Sequence, residues 1–134
     1  MTRMQAIDTY LLVRLFVNDV AAQAQKVRAL FDQLADEDGA LWVADIVLVE
    51  LVWALDRVYA RPREQIAAAL QALAGNATVR LESAAALPQA TLFYAQGPAD
   101  FAYCLLAVKA AQAGCESLRS FDKKMRGLPG VKLL

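Results

Sequence analysis

Four acids stand out by position, Asp8, Glu50, Asp100 and Asp122, and they define the chemistry open to this chain. Asp8 and Asp122 each follow a short apolar run of the kind that forms a strand, while Asp100 lies in the first turn of an expected helix. There is no histidine anywhere, which excludes Ser-His-Asp hydrolysis, Cys-His proteolysis and histidine-ligated zinc. No glycine-rich phosphate loop occurs either. Carboxylate and hydroxyl chemistry is what remains.

Carboxylates about 5 Å apart repel by roughly 3 kcal/mol per pair at an effective dielectric near 20, so four together need compensation. A divalent cation supplies it. All-oxygen ligation suits Mg²⁺ or Mn²⁺, and such ions polarise phosphoryl oxygens and acidify water. The reaction class implied is metal-assisted cleavage of a phosphodiester.

Each acid also has a simpler role open to it. Asp8 and Asp122 can cap the turns they begin, and Asp100 can answer a helix dipole, worth about 0.3–1 kcal/mol. Glu50 is harder to place so cheaply. Val47, Leu48, Val49, Leu51, Val52 and Trp53 around it are apolar, and no Lys or Arg stands three or four positions away. A buried acid of this kind must find a distant partner, be neutralised or bind a cation.

The elements that must position these acids read as strands alternating with helices. The run ending at Asp8 and Thr9 turns into a helix through Leu11, Leu12, Leu15 and Phe16, and Val20 to Ala35 carries a second helical pattern. Leu41 to Ala44 reads as a buried strand. Asp45 is then a candidate N-cap for a helix from Ile46 to about Tyr59, apolar nearly all round and expected to be buried. Pro62 breaks it, Arg63 to Leu73 is helical up to Gly75 and Asn76, and Thr78 to Leu81 is a strand. Ser83 is a candidate cap for a helix toward Gln96; Gly97 and Pro98 end that helix and open the next, which runs to about Ala113. Ser117 to Ser120 is a short strand that delivers Asp122, and Val131 to Leu134 fits an edge strand. The pattern predicts a three-layer α/β/α sandwich with a mostly parallel sheet. In such a sheet the carboxyl ends of the strands share one edge, and Asp8 forms the first wall of the ligand crevice there.

A length of 134 residues fits one domain over 1–134, with 58% hydrophobic residues and 21% charged. That apolar share exceeds the usual range, so part of it is expected under a partner or a second copy of the chain. Glu50 and Asp100 interrupt the longest apolar runs before any reaches the roughly 18 residues needed to span a bilayer, and no signal-peptide pattern opens the chain. A cytoplasmic location is expected. Cys104 and Cys115 are separated by about 16 Å of helical rise, beyond disulfide reach, and are expected to be free thiols packed as small hydrophobes. The formal net charge is zero, yet Asp32, Asp36, Glu37 and Asp38 form an acidic cluster and Arg119, Lys123, Lys124, Arg126 and Lys132 a basic segment. Both can be solvated surface. If the basic one is functional, Lys123 and Lys124 hold a phosphate backbone beside Asp122.

The residues match a known family along their whole length. The chain resembles the PIN-domain ribonucleases, specifically the VapC-type toxins of type II toxin-antitoxin pairs. The likeness rests on Ala6-Ile7-Asp8-Thr9 with Leu12-Val13-Arg14, on Val47-Leu48-Val49-Glu50-Leu51-Val52-Trp53, and on Ala99-Asp100-Phe101-Ala102. Gly114-Cys115, Ser120-Phe121-Asp122 and Leu128-Pro129-Gly130-Val131 continue it. The resemblance implies a PIN fold, endoribonuclease activity with Mg²⁺ or Mn²⁺, a cognate antitoxin that inserts a peptide toward the site, and a homodimer. It also implies that Asp8, Asp100 and Asp122 bind metal, that Glu50 is the second acid of the site, and that Ser120 is the hydroxyl residue before the last acid.

Two positions depart from the family pattern. Tyr10 replaces the usual Asn after Asp8-Thr9, and Tyr103 replaces a second acid of the third motif. Asp100 and Tyr103 are three apart and share a helix face, so a neutral phenol is expected where a carboxylate would help hold the ion. The chain is therefore either an active ribonuclease or a catalytically weakened PIN-fold partner of an antitoxin or RNA. Tyr59 and Tyr94 read as core residues with solvated hydroxyls, and Trp42 and Trp53 as packing or a dimer surface.

Overall fold

Strands and helices alternate along the chain as the apolar periodicity predicts. The computed structural model describes residues 3–134; the first two residues of the expected domain lie outside that range. Strand β1 (Met4–Ala6) passes through Asp8 into α1 (Thr9–Phe16), and α2 (Ala21–Asp36) returns the chain to β2 (Ala40–Val43). Then come α3 (Asp45–Arg57), α4 (Arg63–Ala74), β3 (Val79–Leu81), α5 (Leu87–Gln96) and α6 (Phe101–Gln112). Strand β4 (Leu118–Ser120), a short 3₁₀ turn (Lys123–Met125) and β5 (Val131–Leu133) complete it.

Strand β2 is central because its residues are apolar on both faces: Ala40, Leu41 and Val43 are all buried, as expected of a parallel strand covered on either side. It pairs with β1 and β3, with Gln5 opposite Leu41 and Trp42 opposite Arg80. Strand β4 pairs with β5, Arg119 opposite Lys132, so the expected edge strand is present. All these pairings are parallel, and the architecture is the expected three-layer α/β/α one. The strands form two ladders, β1-β2-β3 and β4-β5. One hydrophobic cluster joins Leu12 and Val13 of α1, Leu51 of α3, Leu70 of α4 and Phe101 of α6. Fully burying each such side chain stabilises by about 1.5–3 kcal/mol. Among the described residues no helix is long and apolar enough to cross a membrane.

Several local expectations are corrected. Helix α3 is not buried all round: Leu48, Leu51, Val52 and Leu55 form the inward stripe, whereas Ile46 and Trp53 stay 66% and 60% exposed. Asp45 is not its cap. Ala44 holds that position, and the Asp45 carboxylate accepts hydrogen bonds from Ser83 Oγ and Lys109 Nζ. Ser83, engaged there, caps nothing, and the helix after it waits until Leu87. The next helix starts at Phe101 rather than Pro98, because Asp100 is still extended at φ −67°, ψ 152°. Both cysteines are free, but only Cys104 is packed inside; Cys115 is exposed.

Candidate active site

Asp8 ends β1 at its carboxyl edge with an extended backbone, and its Oδ1 accepts a hydrogen bond from the Leu11 N–H at 3.1 Å. The simpler capping role is thus filled, with the second carboxylate oxygen left over. The next residue ties this turn to α3: Thr9 Oγ1 donates to Glu50 Oε2 at 2.9 Å. Glu50 is exposed rather than buried, so the expectation of an acid stranded in the core fails. Of its apolar neighbours in sequence, Leu48, Leu51 and Val52 turn inward, whereas Trp53 shares its exposed side.

Beside the Asp8–Glu50 end opens a hollow of about 310 Å³, walled by Thr9, Tyr10, Glu50, Trp53, Val58 and Tyr59. Tyr10 is 73% exposed at its mouth. Tyr59 packs half-buried against the core, but its hydroxyl is not left to solvent: it donates to Asp19 at 3.1 Å and accepts from Arg14 at 3.3 Å. Arg14 also pairs with Asp19 at 2.8 Å. The Tyr59 hydrogen bond raises the Arg14 guanidinium further above its ordinary value, outweighing desolvation, and Asp19 adds to the rise.

Asp100 caps the start of α6 by position, but its carboxylate makes no capping hydrogen bond and is exposed. It lines a second hollow, of about 150 Å³, with Val49, Trp53, Arg63, Tyr94 and Phe101. Trp53 borders both hollows, so α3 stands between Asp100 and the larger one. Tyr103 is half-buried and packs against the core. Tyr94 is buried, and burial, ahead of the opposing pull of Arg63, raises its phenol above the ordinary value.

Asp122 opens the 3₁₀ turn. Its Oδ1 accepts from the Lys124 N–H at 2.9 Å, and its own N–H donates to Ser120 Oγ at 3.0 Å. Ser120 and Asp122 therefore fold the turn that carries Lys123 and Lys124, both exposed. Lys124 lies along a hollow of about 230 Å³ formed with Gly97, Pro98 and Ala99, just ahead of Asp100.

The structure thus brings Asp8 and Glu50 together through Thr9, a bridge the residue types alone did not signal. Among the described residues, no three acidic or thiol side chains converge closely enough to enclose an ion. Asp122 follows β4 of the β4-β5 ladder, which is not hydrogen-bonded to the ladder that contains β1. The donors on either side of Thr9 suit a hydrated hard cation in kind: two carboxylates, each with one oxygen uncommitted, and no imidazole or thiol. Mg²⁺ is commonly held by one or two carboxylates and completed by water.

The model of the PIN domain family matches residues 6–131, a span that contains all four acids. The VapC ribonuclease of Aquifex aeolicus (strain VF5) is 25% identical over 125 residues, covering 93% of this chain and 92% of that protein. With the family matched from the first strand to the last, the chain belongs to the PIN-domain proteins, as one of the VapC type.

Proposed function

We propose that this protein is a metal-dependent endoribonuclease, the toxin of a type II toxin-antitoxin pair, acting in the cytoplasm as a homodimer. The observation that carries the reading is the Thr9 hydrogen bond to Glu50, which ties the turn that follows Asp8 to a carboxylate on the wall of an open hollow. The ribonuclease name of the Aquifex aeolicus relative supports the same chemistry. Asp8 and Glu50 would hold Mg²⁺ or Mn²⁺, with Asp100 and Asp122 as further acids of the site. A divalent ion supplies Lewis-acid polarisation of a phosphoryl oxygen and acidifies water. Thr9 orients Glu50, Ser120 shapes the turn before Asp122, and Lys123 and Lys124 bind the RNA backbone. Tyr10, Ile46, Trp53 and Val58 are large exposed apolar side chains suited to an antitoxin or a second subunit.

A second reading is a catalytically weakened PIN-fold protein that works by binding antitoxin or RNA. It is supported by Tyr10 at the mouth of the hollow and by the lack, among the described residues, of any three acidic or thiol side chains close enough to enclose an ion. RNA cleavage with and without Mg²⁺ or Mn²⁺, in the parent, Asp8→Ala and Tyr103→Asp, separates the two. Metal-dependent cleavage lost in Asp8→Ala supports the first. An inactive parent that gains cleavage in Tyr103→Asp supports the second, and metal-independent cleavage sinks the site assignment.

A further inference from the structure

Arg63 opens α4, where the helix dipole disfavours a cation, so its reason for being arginine lies elsewhere in the fold. Its guanidinium donates from Nη1 to the carbonyls of Tyr94 and Ala99, at 2.9 and 2.8 Å, and from Nη2 to that of Pro98 at 2.8 Å. The Arg63 Cζ also sits 4.4 Å from the centre of the Tyr94 ring. That ring in turn meets Phe101 edge-on, 6.0 Å between centroids. Gly97 passes close by in a glycine-favouring conformation, φ +62°, where an added Cβ would lie 3.6 Å from Arg63 Nε. One side chain therefore holds a carbonyl in the last turn of α5 and two of the stretch between α5 and α6. Lysine cannot reproduce this, because the planar fork of arginine is what serves several acceptors at once.

The next residue is Asp100. Its exposed carboxylate makes no capping bond, so its placement is inherited from the backbone that Arg63 grips. We propose that Arg63 is a positioning residue for the acidic site, fixing the 97–99 backbone so that Asp100 is presented at the start of α6 beside α3. This rests on the reading of Asp100 as a metal-binding acid.

The test is Mn²⁺ affinity by calorimetry in the parent, Arg63→Lys, Asp100→Asn and the double variant, with amide exchange followed in the metal-free proteins. Arg63→Lys is expected to weaken Mn²⁺ binding by roughly 10–100-fold, as loss of an outer-shell partner does. The double variant should bind no more weakly than Asp100→Asn alone, since both changes act through one carboxylate. The amides of Tyr103 and Cys104, which donate to the Asp100 carbonyl at 3.1 and 3.0 Å, should exchange at least tenfold faster in Arg63→Lys, with α2 unaffected. Mn²⁺ affinity that falls in Asp100→Asn but not in Arg63→Lys, or that falls additively in the double variant, overturns the proposal and leaves the nuclease reading standing. If the parent binds no Mn²⁺, the nuclease reading fails instead. Exchange then decides: local acceleration supports the positioning role, and unchanged rates overturn it.

Discussion

Asp8 does two jobs with one carboxylate, and substitution can pull them apart. Its Oδ1 takes the Leu11 N–H, which an asparagine oxygen can also do, whereas a cation needs the charge. Asp8→Asn should therefore keep the melting temperature nearly unchanged while abolishing cleavage. Asp8→Ala should lose cleavage and also about 0.5–2 kcal/mol of stability, visible as a lower Tm. Equal melting of the two variants would show that the cap contributes nothing. The cysteines offer a second separation. Burial pushes the Cys104 thiol up to about 11, with Arg63 lowering it and Asp100 raising it, while Cys115 is exposed. Because the thiolate is the reactive form, iodoacetamide at pH 8 should modify Cys115 readily and Cys104 only on unfolding. The fold favours the neutral Cys104 thiol, so its contribution is complete below about pH 9, the unfolded value, and is lost as pH rises through about 11. Urea midpoints across that window report it. Residue identities made Asp8 legible, since acid, position and turn coincide. They misled at Glu50, where Leu48, Leu51 and Val52 turn inward and leave the acid exposed beside Trp53. They concealed Arg63 altogether, because its partners are carbonyls, which every residue has.

Among the elements, order and type were legible from apolar periodicity and from the glycine and proline breaks at Pro62, Gly75 and Gly97. The helix starts that were misplaced share a cause in tertiary contacts. Ser83 is engaged by Asp45, and the Pro98 and Ala99 carbonyls are held by Arg63 with Asp100 still extended, so neither local signal began a helix. Nor could strand grouping be read, since which short strands pair is settled by packing and not by their own residues. The Asp45–Lys109 ion pair carries an element-scale prediction. It ties the start of α3 to the end of α6, with the Asp45 side chain only 17% exposed and its Oδ1 buried without a partner. The Asp45 hydrogen bond raises the Lys109 ammonium above its ordinary value, outweighing desolvation. A raised ammonium stabilises fully below the unfolded lysine value, near 10.4, and its contribution disappears as pH climbs through the folded one. Lys109→Met should thus be less stable than the parent at pH 7, and the gap should close in strongly alkaline solution. A gap independent of pH would mean that the loss is one of packing.

For the molecule as a whole, zero net charge removes long-range attraction toward a polyanion, so any affinity for RNA must arise locally. The acids at the end of α2 and the lysines of the 3₁₀ turn belong to different elements, and the turn is directed by Asp122 and Ser120. Lys124 then sits beside the stretch that leads into Asp100, with exposed Lys123 next to it in the turn, where a phosphate backbone reaching the acids would pass. Phosphate contacts release counterions, and for a single strand each contributes about 0.7 to the slope of log affinity against log salt. Replacing Lys123 and Lys124 with Gln should weaken binding of a single-stranded RNA and flatten that slope by roughly 1.4 if both lysines contact phosphate. Binding measured by fluorescence anisotropy in an Asp8→Asn background, which prevents cleavage, gives the slope directly. The Gln pair should also leave the melting temperature unchanged, since both side chains are exposed. An unaltered slope would move the RNA path to another face and reduce the basic segment to solvated surface.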